Sequence, residues 1–337
     1  MLLRSINRNS KIKGTRFNEP SAFSLIFFLV GALIINGHAD GKYSQQVREV
    51  QIKSSVDGAL QNALFFASES EKEVPLLVAL HTWSSGWQNT YNVPLAEGCI
   101  ERQWAFIHPD FRGPNKRPDA CGSDLAVSDI IDAVKWAKKK TRIDTNRIYL
   151  AGASGGGHMA LQMAGRAPDI WAGVSSWVPI TDCAVWHTEC QRSGRRYYKD
   201  LEISCKGKPG DSSEVDLEYR KRSPLTWLGK ASNIPLDINA GIRDGHEGSV
   251  PISHSLRAFN LLAESSLKLT QKQIDYFTKE SKVPESLKSA DPDPSYGKDR
   301  QPLWRGQSKA TRITIFDGGH EMIPSAIFDW LARQKKP

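Results

Sequence analysis

Apolar residues fall along the chain in short unbroken runs, each followed by a longer segment in which they recur every three or four positions. Val74–Leu80 (VPLLVAL) is apolar throughout, the pattern of a strand covered on both faces. Trp104–Phe111, Arg147–Ala153, Trp171–Pro179, Pro235–Ile242 and Arg312–Phe316 read as further strands. Between them, Ser123–Lys140 predicts a helix. Ser123 is its cap, Leu125, Ile130, Ile131 and Val134 form its apolar face, and Lys138–Lys140 suit the negative end of its dipole. Further helices are predicted from Gly156 onward, over Pro251–Glu264 and over Met322–Gln334. Ahead of these, residues 48–68 read as two strands joined by a turn at Asp57-Gly58. Such alternation predicts an α/β domain, a mostly parallel sheet with helices on both faces. No repeat is visible that would favour a solenoid or propeller.

Two segments break the alternation. Thr181–Ser232 carries Cys183, Cys190 and Cys205 together with Arg192, Arg195, Arg196, Tyr197, Tyr198 and Lys199. It is expected to form a lid whose chain leaves and re-enters beside the site. Lys272–Lys309 is polar, rich in Pro, Asp and Lys, and expected to be a surface insertion.

At the N-terminus, basic residues up to Arg16 precede the apolar run Ala22–Ile35, with Gly37 and Ala39 as small residues before Asp40. This predicts a signal segment over 1–39 and a domain over 40–337, secreted or periplasmic. The run is 14 residues long, short of the ~20 needed to span a bilayer, so no stable membrane span is expected once the signal is removed. The formal charge is +8. Residues 1–39 hold Arg4, Arg8, Lys11, Lys13 and Arg16 against Glu19 alone, half of that excess, so the basic balance argues against a nucleic-acid partner. In an oxidising compartment some of the five cysteines are expected to pair: Cys99 with Cys121, and one bridge among Cys183, Cys190 and Cys205. No His/Cys spacing fits zinc, and no metal or cofactor is predicted.

Gly152-Ala153-Ser154-Gly155-Gly156 is G-x-S-x-G, placed between a predicted strand and a predicted helix. A sharp strand-to-helix turn needs small neighbours, and it lifts the serine hydroxyl above the sheet edge. A serine needs a base, and in this chain order the base comes after the last strand. There RITIFDGGHEM supplies His320 behind Gly318 and Gly319. The carboxylate that orients the imidazole is expected after the penultimate strand, which gives Asp244, with Glu247 as rival and Asp317 third. The oxyanion hole is expected from the backbone N–H of Gly155 and of Trp83, with Thr82 as alternative to the latter. Trp83, Trp87, Trp177 and Trp186 are candidates for an apolar platform under a sugar. Arg192, Arg195 and Arg196 are candidates for binding an anionic substrate such as a uronate or sulfated glycan.

These residues resemble the α/β-hydrolase superfamily, and within it the catalytic domain of prolyl oligopeptidase-like serine hydrolases. GASGGGHMA is similar to that group's elbow, HPDFRG to its Asp-x-Arg-Gly loop, IRDGHEGSVPISHSLRAF to its acid loop and DGGHE to its histidine loop. The resemblance covers about Val74–Gln334 and implies the α/β-hydrolase fold with a Ser-Asp-His triad. The acid loop departs from the pattern by extra residues between Asp244 and Val250. The chain after residue 39 is too short for the propeller of the family's peptidases, so an esterase acting on carbohydrate or other small acyl esters is favoured. A peptidase of the same mechanism and a non-catalytic binding protein are the alternatives.

Overall fold

The computed structural model describes residues 41–336; the expected signal segment lies outside the described residues. Nine strands form one sheet among the described residues: β1 (Arg48–Lys53), β2 (Leu60–Phe66), β3 (Val74–Leu80), β4 (Ala105–Pro109), β5 (Ile143–Ala153), β6 (Gly173–Trp177), β7 (Leu236–Gly241), β8 (Pro302–Ser308) and β9 (Thr311–Phe316). Their order is β1-β2-β4-β3-β5-β6-β7-β9-β8. From β4 to β9 neighbours run parallel; β1, β2 and β8 are antiparallel additions at the two ends.

Helices α1 (Val93–Glu101), α2 (Asp124–Lys140), α3 (Gly155–Arg166), α4 (Cys183–Arg192), α5 (Tyr197–Cys205), α6 (Ser213–Arg222), α7 (Ser253–Leu262), α8 (Gln271–Glu280) and α9 (Pro324–Leu331) complete the elements. Strand β3 shows why its sequence is apolar at every position. Leu76, Val78 and Leu80 enter the core under α2, α3 and α7, while Leu77 and Ala79 enter the one under α1 and α9. Each such side chain contributes about 1.5–3 kcal/mol by leaving water. Helix α2 begins where its cap predicts: Ser123 Oγ accepts from the Ala126 N–H at 3.1 Å.

Both interrupting segments are more ordered into the fold than their polarity suggests. Within 272–309, α8 seats Phe277 in the core and β8 adds an antiparallel edge strand with Trp304 buried. Within 181–232, α4, α5 and α6 enclose a separate small core of Cys183, Trp186, Leu201 and Tyr219. This unit is tied to the body by Arg222, which donates to the carbonyls of Pro118, Ala120 and Cys121 at 2.8, 2.8 and 3.1 Å. The Arg222 carbonyl in turn accepts from His158 Nε2 of α3 at 2.7 Å. Only one end of the segment lies at the catalytic edge, against expectation. It leaves after the C-terminal end of β6, but β7 runs parallel to β6 and starts at the opposite edge. The return path through 224–231 packs along α3, so closely that a Cβ on Gly165 would lie 2.6 Å from the Trp227 backbone.

The expected disulfides are corrected by the packing. Cys99 belongs to the core under α1 and α9, while Cys121 sits with Cys183, Cys190 and Cys205 in the small core of the inserted helices. Cys99 and Cys121 therefore cannot meet, and all five cysteines are buried free thiols. Burial pushes the Cys190 thiol up to about 12.

Burial pulls His158 down to about 4, so the folded protein holds it neutral while the unfolded chain protonates it near 6.5. Burial likewise depresses His108 and His81. Below about pH 6.5 the unfolded state binds more protons, so stability falls with pH until the folded-state pKa is reached. Through His158 alone the chain is expected to lose about 2 kcal/mol between pH 6.5 and 5. His158→Gln, which retains an N–H donor, should flatten that slope in urea titrations; an unchanged slope would refute the assignment.

Candidate active site

Strand β5 ends at Ala153 and α3 begins at Gly155, so the whole change of direction falls on Ser154, at φ 58° and ψ −118°. A non-glycine residue there is strained. The surrounding glycines make the turn sterically possible. A Cβ on Gly152 would lie 2.5 Å from Gly156, on Gly155 2.4 Å from the Trp83 nitrogen, on Gly156 2.5 Å from the Leu80 carbonyl oxygen, and on Gly157 2.5 Å from the Trp177 carbonyl oxygen. The Ser154 N–H is anchored to the Trp177 carbonyl at 2.9 Å.

The loop after β3 is pressed against this turn. Asp110 holds it from the neighbouring strand end, accepting from the Trp87 N–H at 3.1 Å, and Gly86 leaves the room for that carboxylate. Arg112, two residues on, is locked between Asp129 at 2.5 Å and Asp57 at 2.7 Å. The resulting approach brings the backbone nitrogens of Gly155 and Trp83 to one side of Ser154, and neither donates to a protein group among the described residues.

His320 follows β9 and Asp244 follows β7, on adjacent parallel strands. His320 Nδ1 is 3.0 Å from both carboxylate oxygens of Asp244, whose side chain is fully buried. Asp244 Oδ1 also accepts from the N–H groups of Gly245 and Val250, at 2.9 and 3.3 Å. The rivals face elsewhere: Glu247 and Asp317 both pair with Arg243. A cavity of about 270 Å³ brings together Ser154, His320, Trp83, Tyr91, Tyr197 and Ser249, among others. His320 Nε2 lies 3.4 Å from Ser249 Oγ, and no hydrogen bond joins it to Ser154.

This strand order, with a serine at the strand–helix elbow and a buried carboxylate–imidazole pair on the next strand ends, has counterparts among known proteins. The prolyl oligopeptidase family model matches residues 123–281 and the BD-FAE model residues 63–169. Among solved structures, puromycin hydrolase superposes with a TM-score of 0.57 at 15% identity, over 88% of this chain and 39% of that one. An acylaminoacyl peptidase of Pyrococcus horikoshii gives 0.52 at 18% identity, over 64% and 34%. The chain thus spans about a third of the length of such structures. The chain has the α/β-hydrolase fold.

Several residues expected to bind substrate do other work. Trp87 packs on the core under α1 and α9 and does not line the cavity. Trp177 and Trp186 are buried, which leaves Trp83 as the one predicted tryptophan at the cavity. Arg195 donates to the Gly248 carbonyl at 2.6 Å, fastening the acid loop. Trp186 Nε1 donates to the Ser249 carbonyl at 3.0 Å, on the same loop. Arg192 and Arg196 are exposed and lie off the cavity.

Tyr91 and Ser249 were not singled out by the sequence, whereas Tyr197 belongs to the Arg- and Tyr-rich cluster of the inserted segment. Tyr91 precedes α1 and accepts from the Met322 N–H at 3.2 Å; burial of its hydroxyl end pushes it up to about 12, so it stays a neutral donor. Tyr197 stacks on Trp186 at 5.2 Å and 21°. Ser249 belongs to the extra residues of the acid loop, which were the available signal.

Gly248 is the glycine of the acid loop that lies closest against the pair. A Cβ there would lie 2.2 Å from Asp244 Oδ1 and 2.4 Å from His320 Cβ. Gly248→Ala is therefore expected to drive the pair apart and lower kcat/KM by about 100-fold or more, a misplacement of the order of an ångström at the chemistry. Retention of wild-type kcat/KM by a folded Gly248→Ala protein would refute this.

Proposed function

We propose that this protein is a serine hydrolase, an esterase that cleaves small acyl esters through an acyl-enzyme, with Ser154 as nucleophile, His320 as base and Asp244 as the carboxylate that orients it. Ser154 Oγ attacks the acyl carbon and its proton passes to His320 Nε2. The carbonyl electron pair moves to oxygen, where the Gly155 and Trp83 N–H groups stabilise it. Collapse returns that pair, breaks the bond to the leaving alcohol and sends it out with the proton from His320. Water then repeats the sequence and frees Ser154 with release of the acid.

The observation that carries the ester reading is the cavity itself. Its lining is aromatic and hydroxyl-bearing, from Trp83, Tyr91, Tyr197, Thr82 and Ser249, and includes no carboxylate that would take a free peptide amino terminus. We further propose that the chain works outside the cytoplasm, on the basic and apolar pattern of residues 1–39.

Ser154→Ala should abolish turnover of aryl and sugar acetates and labelling by a fluorophosphonate probe while the protein stays folded. Asp244→Asn should lower kcat by about 10⁴, through the wrong imidazole tautomer; Glu247→Gln should have little effect. Normal turnover by folded Ser154→Ala would overturn the mechanism. A higher kcat/KM on peptide amides than on esters across a matched panel would overturn the substrate class.

A further inference from the structure

A second cavity adjoins the first. It measures about 340 Å³ and shares Ser249 with the catalytic cavity. Its walls come mainly from two parts of the chain, with Thr278 of α8 beside them. Arg192, Arg195 and Glu189 come from the end of α4 and the turn after it, and Gly245, Ser249 and Pro251 from the acid loop and its continuation. Ser249 fixes where this groove lies relative to the chemistry. Its hydroxyl is 3.4 Å from His320 Nε2, the atom that returns the proton to the departing oxygen. The groove therefore meets the first cavity at a residue in contact with His320 Nε2.

Its charge is unbalanced. Arg195 is held through Nη2 by two carbonyl oxygens, Gly248 at 2.6 Å and Gly245 at 3.4 Å, which orient the guanidinium without neutralising it. Arg192 stands at the rim, and neither arginine forms an ion pair among the described residues. Glu189, the one carboxylate on the groove, is committed to His254 Nε2 at 2.9 Å. Two guanidinium groups a few residues apart, one pre-oriented, suit a planar or tetrahedral oxyanion because each offers parallel N–H donors.

We propose that this groove is a leaving-group subsite for an anionic alcohol, one bearing a carboxylate or sulfate, and that Arg192 and Arg195 hold its charge. The proposal rests on the acyl-transfer reading of Ser154 and His320 and adds the class of alcohol released.

The test compares 4-acetoxybenzoate with its neutral methyl ester. Both give the same acetyl-enzyme, so the ratio of their kcat/KM values reports the leaving group alone. Arg192 is the residue to change, because Arg195 also fastens the acid loop. Relative to wild type, Arg192→Gln should lower the anionic-to-neutral ratio severalfold, and Arg192→Glu should lower it by about tenfold or more, as expected for a charge-assisted contact. In the wild type, about 0.5 M salt should move the ratio the same way, through screening. In Arg192→Glu, salt should raise it. A ratio that is the same in wild type and both variants would overturn the subsite alone. Turnover of neither ester by wild type would overturn the acyl-transfer reading and the subsite with it.

Discussion

Close backbone approach at the elbow is the constraint on which the rest of the structure depends. Four glycines around Ser154 each face another main chain at a distance no side chain tolerates: Gly152 on Gly156, Gly155 on Trp83, Gly156 on Leu80 and Gly157 on Trp177. These contacts join the ends of β3, β5 and β6 to the start of α3 in one knot. The strained dihedral angles of Ser154 persist because three strand ends hold them. The same knot carries the Trp83 N–H to the serine, so nucleophile geometry and oxyanion geometry arise from one packing event. A loose elbow would lose both.

The inserted helices serve the other half of the site. Nothing in a parallel sheet fixes the loop after β7, because it projects beyond the strand ends. Here α4 and its following turn hold that loop through Trp186, Arg195 and the Glu189–His254 pair. Arg222 and His158 hold the helices to the body in turn. The segment expected to cover the site is therefore also its buttress. Asp244 stays buried against His320 because Arg195, about fifty residues away in sequence, supplies hydrogen bonds to its loop.

How much of this the sequence discloses depends on whether a feature is local. The central strands were legible since burial on both faces leaves no polar position, and β3 matches its predicted bounds residue for residue. The elbow, His320 and Asp244 were legible because chain order and strand ends locate them. Strand β8 was not: at the sheet edge it alternates buried Trp304 with half-exposed Arg305 and Gly306, beside a proline, which reads as loop. Cysteine pairing failed for a related reason. Whether Cys99 and Cys121 meet depends on which face of the sheet α1 covers, and no local pattern states that. Ser249 and Tyr91 reach the cavity only through tertiary packing, so their chemistry is invisible in their neighbours.

His320 Nε2 shows how these parts meet. With Nδ1 committed to Asp244, it is the one ring nitrogen left to accept a proton. Among the hydroxyls that share the cavity with it are Ser154 from the elbow and Ser249 from the acid loop. The Ser249 contact is long for an O–H donor, at 3.4 Å. Such a bond holds the imidazole loosely and is easily exchanged when substrate aligns Ser154, consistent with the slack common in unliganded catalytic sites. A shorter one would compete with the nucleophile for the base. On the proposed mechanism Ser249 orients the ring between turnovers and faces the departing group during them, because the loop that carries it is fastened by Trp186 and Arg195.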